Sequence, residues 1–265
     1  MLAATIEGIG LLGPGLNGWT EGRRILTGDV AHVSSATEFP VASSLPPSER
    51  RRASRGTKLV LAVGLEASAA AGLDASSLAT VFASSGGDGY NCHEICQMLA
   101  SNDRQLSPTR FHNSVHNAPA GYWSIASGSM APSSVICAHD ASFGAGLLEA
   151  MSQVTSTGER CLLIAYDTDY PQPIRAVRPV PDAFGIALVL NSLGAQRGDR
   201  ALATIELQLT HSASESLADS SLENLRRAIP AARGLPILAA ITGGAPRTVV
   251  IDYLDDIALS ITVTP

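Results

Sequence analysis

Apolar residues are grouped along the chain in short continuous runs, and these runs predict strands. A strand that is buried on both faces lacks an alternation of polar and apolar residues, because neither face meets water. The expected strands cover residues 2–12, 78–84, 133–138, 161–166, 183–190, 202–209 and, as two strands, 247–263. The pattern therefore predicts a sheet that lies largely inside the protein.

Helices are expected between most of these runs. Their expected positions are residues 19–26, 49–71, 91–101, 117–127, 143–155 and 214–229. The longest follows Pro46 and Pro47, which suit the first turn of a helix, and its second half is almost entirely apolar or small. Strands that alternate with helices indicate an α/β fold. A loop near residues 193–200 is the one candidate linker.

Composition narrows the function classes without identifying one. The chain has 265 residues, 45% of them hydrophobic and 16% charged, which supplies a large core for one domain. Its formal net charge of −6 argues against nucleic-acid binding. No apolar stretch is long enough to span a membrane, and the first residues lack the basic segment of a signal peptide.

The four cysteines are Cys92, Cys96, Cys137 and Cys161, and their spacing is not that of a disulfide framework. We therefore expect reduced thiols and a cytoplasmic protein. Cys92 and Cys96, with His93, are of the types that bind zinc, but a zinc site needs about four ligands. On a helix His93 would also point away from the two cysteines. We expect no metal here and interpret Cys92 and Cys96 as small packing groups.

The stretch SSGGDGY, residues 84–90, is rich in glycine. Glycine-rich turns after a strand can bind phosphate, yet this one matches neither of the two common phosphate-binding patterns. We interpret it as a tight turn that lets the backbone approach another element closely.

Polar and aromatic residues are dense between residues 107 and 128, where two histidines and two asparagines accompany an arginine, a tyrosine and a tryptophan. The helical part is built from Ala, Gly and Ser, which allow another backbone to approach. This composition suits a core helix or a subunit interface. In the simpler interpretation Asn113 and Asn117 satisfy backbone groups in a turn, and His112 and His116 are hydrogen-bonded fillers.

The stretch VICAHDASFG, residues 135–144, is typical of a strand that turns sharply into a helix. Such a turn can present a nucleophile, and the helix N-terminus can hold an anion. The residue at the turn is Asp140, which we interpret as a helix cap stabilised by the helix dipole. Ser142 is a second capping candidate. Cys137 falls within the expected buried strand, where a thiol packs and its pKa is raised.

Three segments together resemble the N-terminal half of the β-ketoacyl synthases, which have a thiolase-type fold. Residues 111–121 read FHNSVHNAPAG, where that family has F-x-N-S-x-x-N-x-x-A-G. Residues 131–136 read APSSVI, where the family has G-P-S and a strand, and residues 138–146 read AHDASFGAG, where the strand ends in T-A-C-x-S-G. Weaker likeness at other positions extends the resemblance over about residues 1–192.

The resemblance implies one domain over residues 1–265 with a layered α/β/α/β/α fold. The family-like part would be residues 1–192, and the C-terminal part, residues 193–265, would be truncated or reduced. It also places Asp140 where the synthases have their catalytic cysteine. The synthases need two further histidines and a lysine, whereas His211 is the only histidine after Asp140 and Lys58 is the only lysine. A carboxylate is a poorer nucleophile than a thiolate, so the chain is expected to be non-catalytic and to need no cofactor.

Subunits of this kind in the family are the chain-length factors, which pair with an active ketosynthase and act on chains carried by an acyl carrier protein. The short form resembles those of aryl polyene and xanthomonadin-type pigment clusters. The resemblance implies a partner interface at residues 107–125 and at the strand before the turn. The implied interface or tunnel residues are Phe111, His112, Asn113, Val115, His116, Asn117, Tyr122 and Trp123.

Two alternatives stay open. The chain could be an enzyme in its own right, either an acyltransferase or hydrolase that uses Cys137, or a malonyl decarboxylase that uses the Asp140 pocket. It could also be a silent homodimeric scaffold, whose basic run Arg50–Arg55 attracts an acidic carrier protein.

Overall fold

A computed structural model describes residues 1–193 and 201–265, and the strands in these ranges form one mixed sheet. The strands are β1 (Leu2–Gly13), β2 (Leu16–Asn17), β3 (Ala79–Ala83), β4 (Ser133–Ile136), β5 (Cys161–Asp167), β6 (Phe184–Ser192), β7 (Ala203–Thr210), β8 (Arg247–Leu254) and β9 (Ile257–Thr264). Their order is β4-β3-β5-β6-β1-β7-β9-β8, with β2 paired to β1. The candidate linker near residues 193–200 lies, apart from its first residue, outside the described residues.

Ten α-helices lie in the described ranges. They are α1 (Trp19–Leu26), α2 (Pro47–Arg52), α3 (Arg55–Ala71), α4 (Gly89–Ala100), α5 (Pro108–His112), α6 (Ala118–Ser127), α7 (Ser142–Thr157), α8 (Ile174–Val177), α9 (Ser220–Ala228) and α10 (Leu235–Thr242). Three of them, α5, α8 and α10, were not expected from the sequence. No described helix is both long enough and apolar enough to cross a membrane.

The single helix expected over residues 49–71 is wrong, because the chain breaks it into α2 and α3. Ala53 is extended, and Ser54 begins a new helix by accepting a hydrogen bond from the Thr57 amide at 3.2 Å. A serine in this position satisfies one of the amides that a helix start leaves unpaired. The break turns the arginines on either side of it toward a common cleft.

The N-terminal part of the sheet is covered on both faces. Strands β4, β3 and β5 are parallel, and β6 and β1 follow in antiparallel pairing. Helices α3 and α6 pack on one face and α7 on the other, which gives two apolar cores. Helix α3 approaches β1 so closely that a side chain at Gly8 or Gly10 would collide with the backbone carbonyls of Ala67 and Val63.

The C-terminal part continues the same sheet with three antiparallel strands, β7, β9 and β8. Helix α7, which packs on the N-terminal strands, also contacts β8. A side chain at Gly144 of α7 would lie 3.1 Å from the Asp252 carbonyl oxygen and 3.3 Å from Leu259. The layered α/β fold and the reduced C-terminal part are therefore confirmed.

Candidate functional site

The turn between β4 and α7, which we call the elbow (residues 137–141), is stabilised by Ser142. The Ser142 hydroxyl accepts a hydrogen bond from the Ala138 amide at 3.0 Å and donates one to the His139 carbonyl at 2.7 Å. His139 has a φ of 50°, which is uncommon for a residue other than glycine. Among the described residues no side chain caps the first turn of α7, so the expected Asp140 cap is wrong.

Asp140 pairs with two arginines instead. Arg178 donates from Nη2 to Asp140 Oδ1 at 2.7 Å, and Arg233 donates from Nη2 to Oδ2 at 3.3 Å. Arg178 also donates from Nη1 to the Nε2 atom of His139 at 2.9 Å. The two arginines offer charge-assisted hydrogen bonds to both carboxylate oxygens of Asp140, and such bonds are stronger than those between neutral groups. This explains why the carboxylate is turned toward the arginines.

The arginines keep Asp140 ionised. Burial raises the pKa of this carboxyl group, but the Arg178 hydrogen bond and the Arg233 and Arg178 charges outweigh it and lower the pKa below its ordinary value. At the elbow Asp140 therefore forms ion pairs with Arg178 and Arg233.

Arg178 is positioned by the segment that follows β5. The ring of Tyr170 in this segment lies against Gly86 and Gly89, where any side chain would collide with it. Tyr170 also contributes, after Asp140, to raising the pKa of the Arg178 guanidinium group. The expected close approach at the glycine-rich turn is therefore confirmed, and its structural role is to admit Tyr170.

Arg233 connects the elbow to the C-terminal strands. Its Nε atom lies 3.8 Å from Asp252 Oδ2 on β8, and Arg226 donates to the same oxygen at 2.9 Å. Arg226 is buried and also forms a two-point ion pair with Glu223, at 2.7 and 2.9 Å. Asp140 is thus one end of a charge network that reaches α9.

The elbow borders a cavity of about 830 Å³. His139 and Asp140 line it together with His211, the one histidine of the C-terminal part. His211 donates from Nδ1 to the Asp256 carbonyl at 2.6 Å. The sequence did not connect His211 with Asp140, because 71 positions separate them and no local pattern links a strand end to a distant turn.

The cysteines are placed differently from expectation. Strand β4 ends at Ile136, so Cys137 lies in the elbow and is exposed, with its thiol 3.5 Å from the Ser85 carbonyl. Cys92 and Cys96 are also exposed, and the expectation that these three thiols pack in the interior is wrong. Within residues 1–193 and 201–265 no group of three or more His, Cys, Asp or Glu side chains could hold a metal ion.

The residues proposed for the interface or tunnel divide into exposed and buried groups. Phe111 is 66% and Val115 52% exposed, whereas Tyr122 and Trp123 are 1% exposed. Trp123 contacts Phe82 edge to face, with the ring centroids 6.4 Å apart. Tyr122 contacts the ring of His112 in the same way at 6.0 Å. Asn117 is exposed at the start of α6.

Buried polar atoms without a hydrogen-bond partner are concentrated in this segment. Four of the seven such side-chain atoms in the described residues belong to Asn113, His116, Tyr122 and Trp123. Asn113 donates from Nδ2 to the Arg52 carbonyl at 2.9 Å, but its Oδ1 and the nearby Tyr122 hydroxyl do not reach hydrogen-bonding geometry. Each buried unpaired group costs roughly 1–3 kcal/mol. The simpler interpretation, in which His116 is a satisfied filler, is not supported.

Strand β4 forms one edge of the sheet and pairs only with β3 among the described strands. The residues before it include Ile125 and Met130, which are exposed, Met130 at 96%. An edge strand offers unpaired backbone groups to another chain. The edge and the exposed apolar side chains therefore lie in the same part of the sequence.

Helix α4 was not included among the candidate residues. Cys92, Cys96 and Leu99 are exposed and lie three or four residues apart, so they share one face. The helix is tied to α5 by an ion pair between Glu94 and Arg110 at 3.2 Å. The helical spacing of apolar residues was the signal that could have identified this face.

A second cleft, of about 390 Å³, is basic. Arg51, Arg52 and Arg55 line it from the α2–α3 break, and Arg110 lines it from α5. Arg55 is already paired with Asp169 at 2.8 Å and with Asp182 at 3.0 Å. Arg110 is paired with Glu94 at 3.2 Å and Arg52 with Glu49 at 3.5 Å, so Arg51 is the one arginine of this lining for which the described residues give no ion pair.

Comparison with known families gives one match. The model of the family described as β-ketoacyl synthase, N-terminal domain, matches residues 27–238. None of the curated protein sequences matches the chain.

Solved structures share the fold over the whole chain. One is a ketosynthase (ApeO) in complex with its chain length factor (ApeC) from Xenorhabdus doucetiae, with a TM-score of 0.74, 23% identity and coverage of 99% of this chain and 100% of that one. Another is the ishigamide ketosynthase/chain length factor, with a TM-score of 0.70 and 13% identity; the match covers 100% of this chain and 99% of that one. A third is AntDE:AntF, a type II acyl-carrier protein in complex with its ketosynthase. It has a TM-score of 0.77 and 11% identity, and the match covers 99% of each chain.

Proposed function

The chain belongs to the β-ketoacyl synthase family, and from this premise we propose that it is a non-catalytic chain-length factor. It pairs with an active ketosynthase in the synthesis of aryl polyenes or related polyketide-like or fatty-acid-like chains. The observation that carries the proposal is the elbow, where Asp140, which the sequence resemblance places at the family's cysteine, is held by Arg178 and Arg233.

The length of the chain supports this role. The match to the ApeO–ApeC complex covers 99% of this chain and 100% of the matched chain there, so the two chains are of similar length. That complex joins a ketosynthase to a chain length factor, and the other two complexes contain a chain length factor or a carrier protein bound to its ketosynthase. At these identities the likeness concerns the fold, and the role is our inference.

The surface supports a large partner interface. Phe111 and Val115 are exposed, and β4 is an edge of the sheet among the described strands. A partner ketosynthase would cover these apolar side chains and pair with that edge. An acyl carrier protein would then deliver its chain to the complex, not to this subunit alone.

Co-expression with a candidate partner ketosynthase tests the proposal. We expect a 1:1 complex in size-exclusion chromatography with light scattering, and poor solubility of the chain alone, because a large apolar surface would be exposed. Val115→Asp should abolish the complex, while the matched control Leu209→Asp, at a leucine 58% exposed on β7, should leave it intact. A stable monomer without affinity for any ketosynthase would contradict the proposal.

A malonyl decarboxylase is the second candidate, and His211 is the observation that favours it. His211 lines the cavity that Asp140 borders. The isolated chain would then release CO₂ from malonyl-carrier protein, and His211→Ala would remove that activity. We expect no release above the level of a heat-treated sample.

A carrier-protein scaffold is the third candidate, and the basic cleft favours it. Arg51 and Arg110 would attract an acidic carrier protein to a homodimer of this chain. Sedimentation at micromolar concentration distinguishes this from our proposal, because a scaffold would form a self-dimer whereas a chain-length factor would pair with the ketosynthase.

A further inference from the structure

Helix α4 presents two thiols on one face. Cys92 and Cys96 are both exposed and lie four residues apart in the helix. Side chains with this spacing lie one above the other on a helix surface. Partial burial raises the pKa of the Cys92 thiol, and the neighbouring Cys96 thiol raises it further, so the two thiols interact. Neither the charge network at the elbow nor the proposed partner interface uses this pair.

A helix holds two such residues at nearly the distance that a disulfide bond requires. In a regular α-helix the Cα atoms of residues four apart are separated by about 6 Å, which is within the range of about 4.4–6.8 Å found across disulfides. Their Cβ atoms are about 5–6 Å apart, whereas a disulfide needs about 3.5–4.5 Å. A bond between Cys92 and Cys96 therefore requires this turn of α4 to distort, and a strained bond of this kind is readily reduced.

The turn that would distort is tied to other parts of the protein. Asp88 begins α4 by accepting a hydrogen bond from the Asn91 amide at 3.0 Å, and Asn91, next to Cys92, donates from Nδ2 to the Arg110 carbonyl of α5 at 2.7 Å. Tyr90 donates to Asp169 at 3.0 Å. A distortion at the start of α4 would therefore be transmitted to α5.

We propose that Cys92 and Cys96 form a reversible disulfide bond, which makes the attachment of α5 sensitive to oxidation. The oxidant is a low-molecular-weight disulfide. The thiolate of one cysteine attacks it, forms a mixed disulfide and releases one small thiol. The thiolate of the other cysteine then attacks the protein sulfur of the mixed disulfide, closes the bond within α4 and releases the second small thiol. The two protein thiols give up two electrons and two protons, and the small disulfide takes these up.

Peptide mass spectrometry of the full chain tests the bond with oxidised glutathione as the oxidant. After oxidation the remaining thiols are alkylated, and the chain is cut by trypsin after Lys58 and Arg104. The resulting peptide 59–104 contains Cys92 and Cys96 and no other cysteine. We expect this peptide to have lost two hydrogens and to carry neither glutathione nor an alkyl group, and we expect dithiothreitol to restore both thiols.

Two serine variants make this test specific. Cys96→Ser should hold glutathione at Cys92 as a mixed disulfide, because no second thiol remains to close the bond. Cys137→Ser is the matched control, since it removes an exposed thiol outside α4 and should still form the bond. If peptide 59–104 of the original chain carries only glutathione or alkyl groups, or if the bond is lost in Cys137→Ser, the inference is overturned.

Hydrogen exchange tests whether the bond affects α5. In the oxidised chain we expect the amides of α4 and α5 to exchange about tenfold faster than in the reduced chain, while those of α7 stay unchanged. Oxidised Cys96→Ser shows the effect of attached glutathione without the bond and should exchange as the reduced chain does. Unchanged exchange in a chain shown to hold the disulfide would overturn the coupling to α5. These measurements need no ketosynthase, so their outcome is independent of the proposed function.

Discussion

The two parts of the sheet differ in how many of their faces are buried. Every residue of β5 is buried, and so is every residue of β6 but the last. In β7 and β9 buried residues alternate with residues that are exposed or half-buried. The N-terminal strands are therefore covered by helices on both faces, whereas the C-terminal strands meet water on one. An antiparallel sheet can do this, because alternate side chains point to opposite faces.

The difference shows what the reduced C-terminal part has lost and what it keeps. Its outer face carries Glu206, Gln208 and Thr262, which need no covering layer. Its inner face packs on α10 and, through β8, on α7, and its Arg233 reaches the elbow. The C-terminal strands thus cover α10 and one side of α7 and contribute to the charge network.

The largest expected effect is on the free energy of unfolding, and it compares a strand of the N-terminal part with a strand of the C-terminal part. Leu188→Ala in β6 should lower the free energy of unfolding by about 4 kcal/mol, because the side chain is fully buried and a cavity remains. Leu209→Ala on β7 should change it by less than about 0.5 kcal/mol, since that side chain is exposed. Urea unfolding measures both. Equal losses would show that the two parts are covered alike.

Removal of Arg226 should have the next largest effect. Arg226→Ala leaves Glu223 and Asp252 without their buried cation and should cost about 3 kcal/mol. Arg247→Ala, which breaks an exposed ion pair with Glu215, should cost at most about 1 kcal/mol. Thermal unfolding of the two variants provides the check. A small loss for Arg226 would mean that the network does not hold the C-terminal part in place.

Asp167, at the end of β5, links the two parts and should make stability depend on pH. Burial raises its pKa to about 6, although Ser85 and the Ala231 amide donate hydrogen bonds to it at 2.7–2.8 Å. The folded state therefore binds a proton more tightly than the unfolded state. This group's contribution to stability is present at low pH and is lost, by on the order of 2–3 kcal/mol, as pH rises from about 4 to 7.

Asp167→Asn isolates that contribution, because the amide does not titrate. The difference in unfolding free energy between the original chain and the variant should change with pH in the window from 4 to 7, and unfolding in urea at several pH values measures it. A difference that stays constant would show that Asp167 is ionised throughout.

The smallest effect is expected at the elbow. Asp140→Cys restores a thiol at the family's position but removes the partner of Arg178 and Arg233. Because Asp140 is partly exposed, we expect a loss of about 1 kcal/mol or less. Intact mass after incubation with acyl-carrier protein should show no covalent acyl adduct on this cysteine. An adduct would mean that the elbow keeps catalytic competence and that Asp140 alone suppresses it.

The fold was more predictable than the site. Continuous apolar runs located the strands, since burial on two faces leaves a pattern within a few residues. The break at Ser54 was missed, because the arginine-rich α2 has no apolar pattern whose end would mark it and only an extended residue and a side-chain cap separate the helices. Helix α10 was missed for a related reason, as its eight residues are apolar on almost every side and show no period.

The sequence by itself determined where the strands and the elbow lie along the chain. Each of these depends on residues that are close in sequence. Tertiary structure decided what Asp140 does, because its partners Arg178 and Arg233 lie 38 and 93 positions away. It also decided that Cys137 is exposed. Contacts between distant segments follow no local period, so only the folded chain brings these groups together.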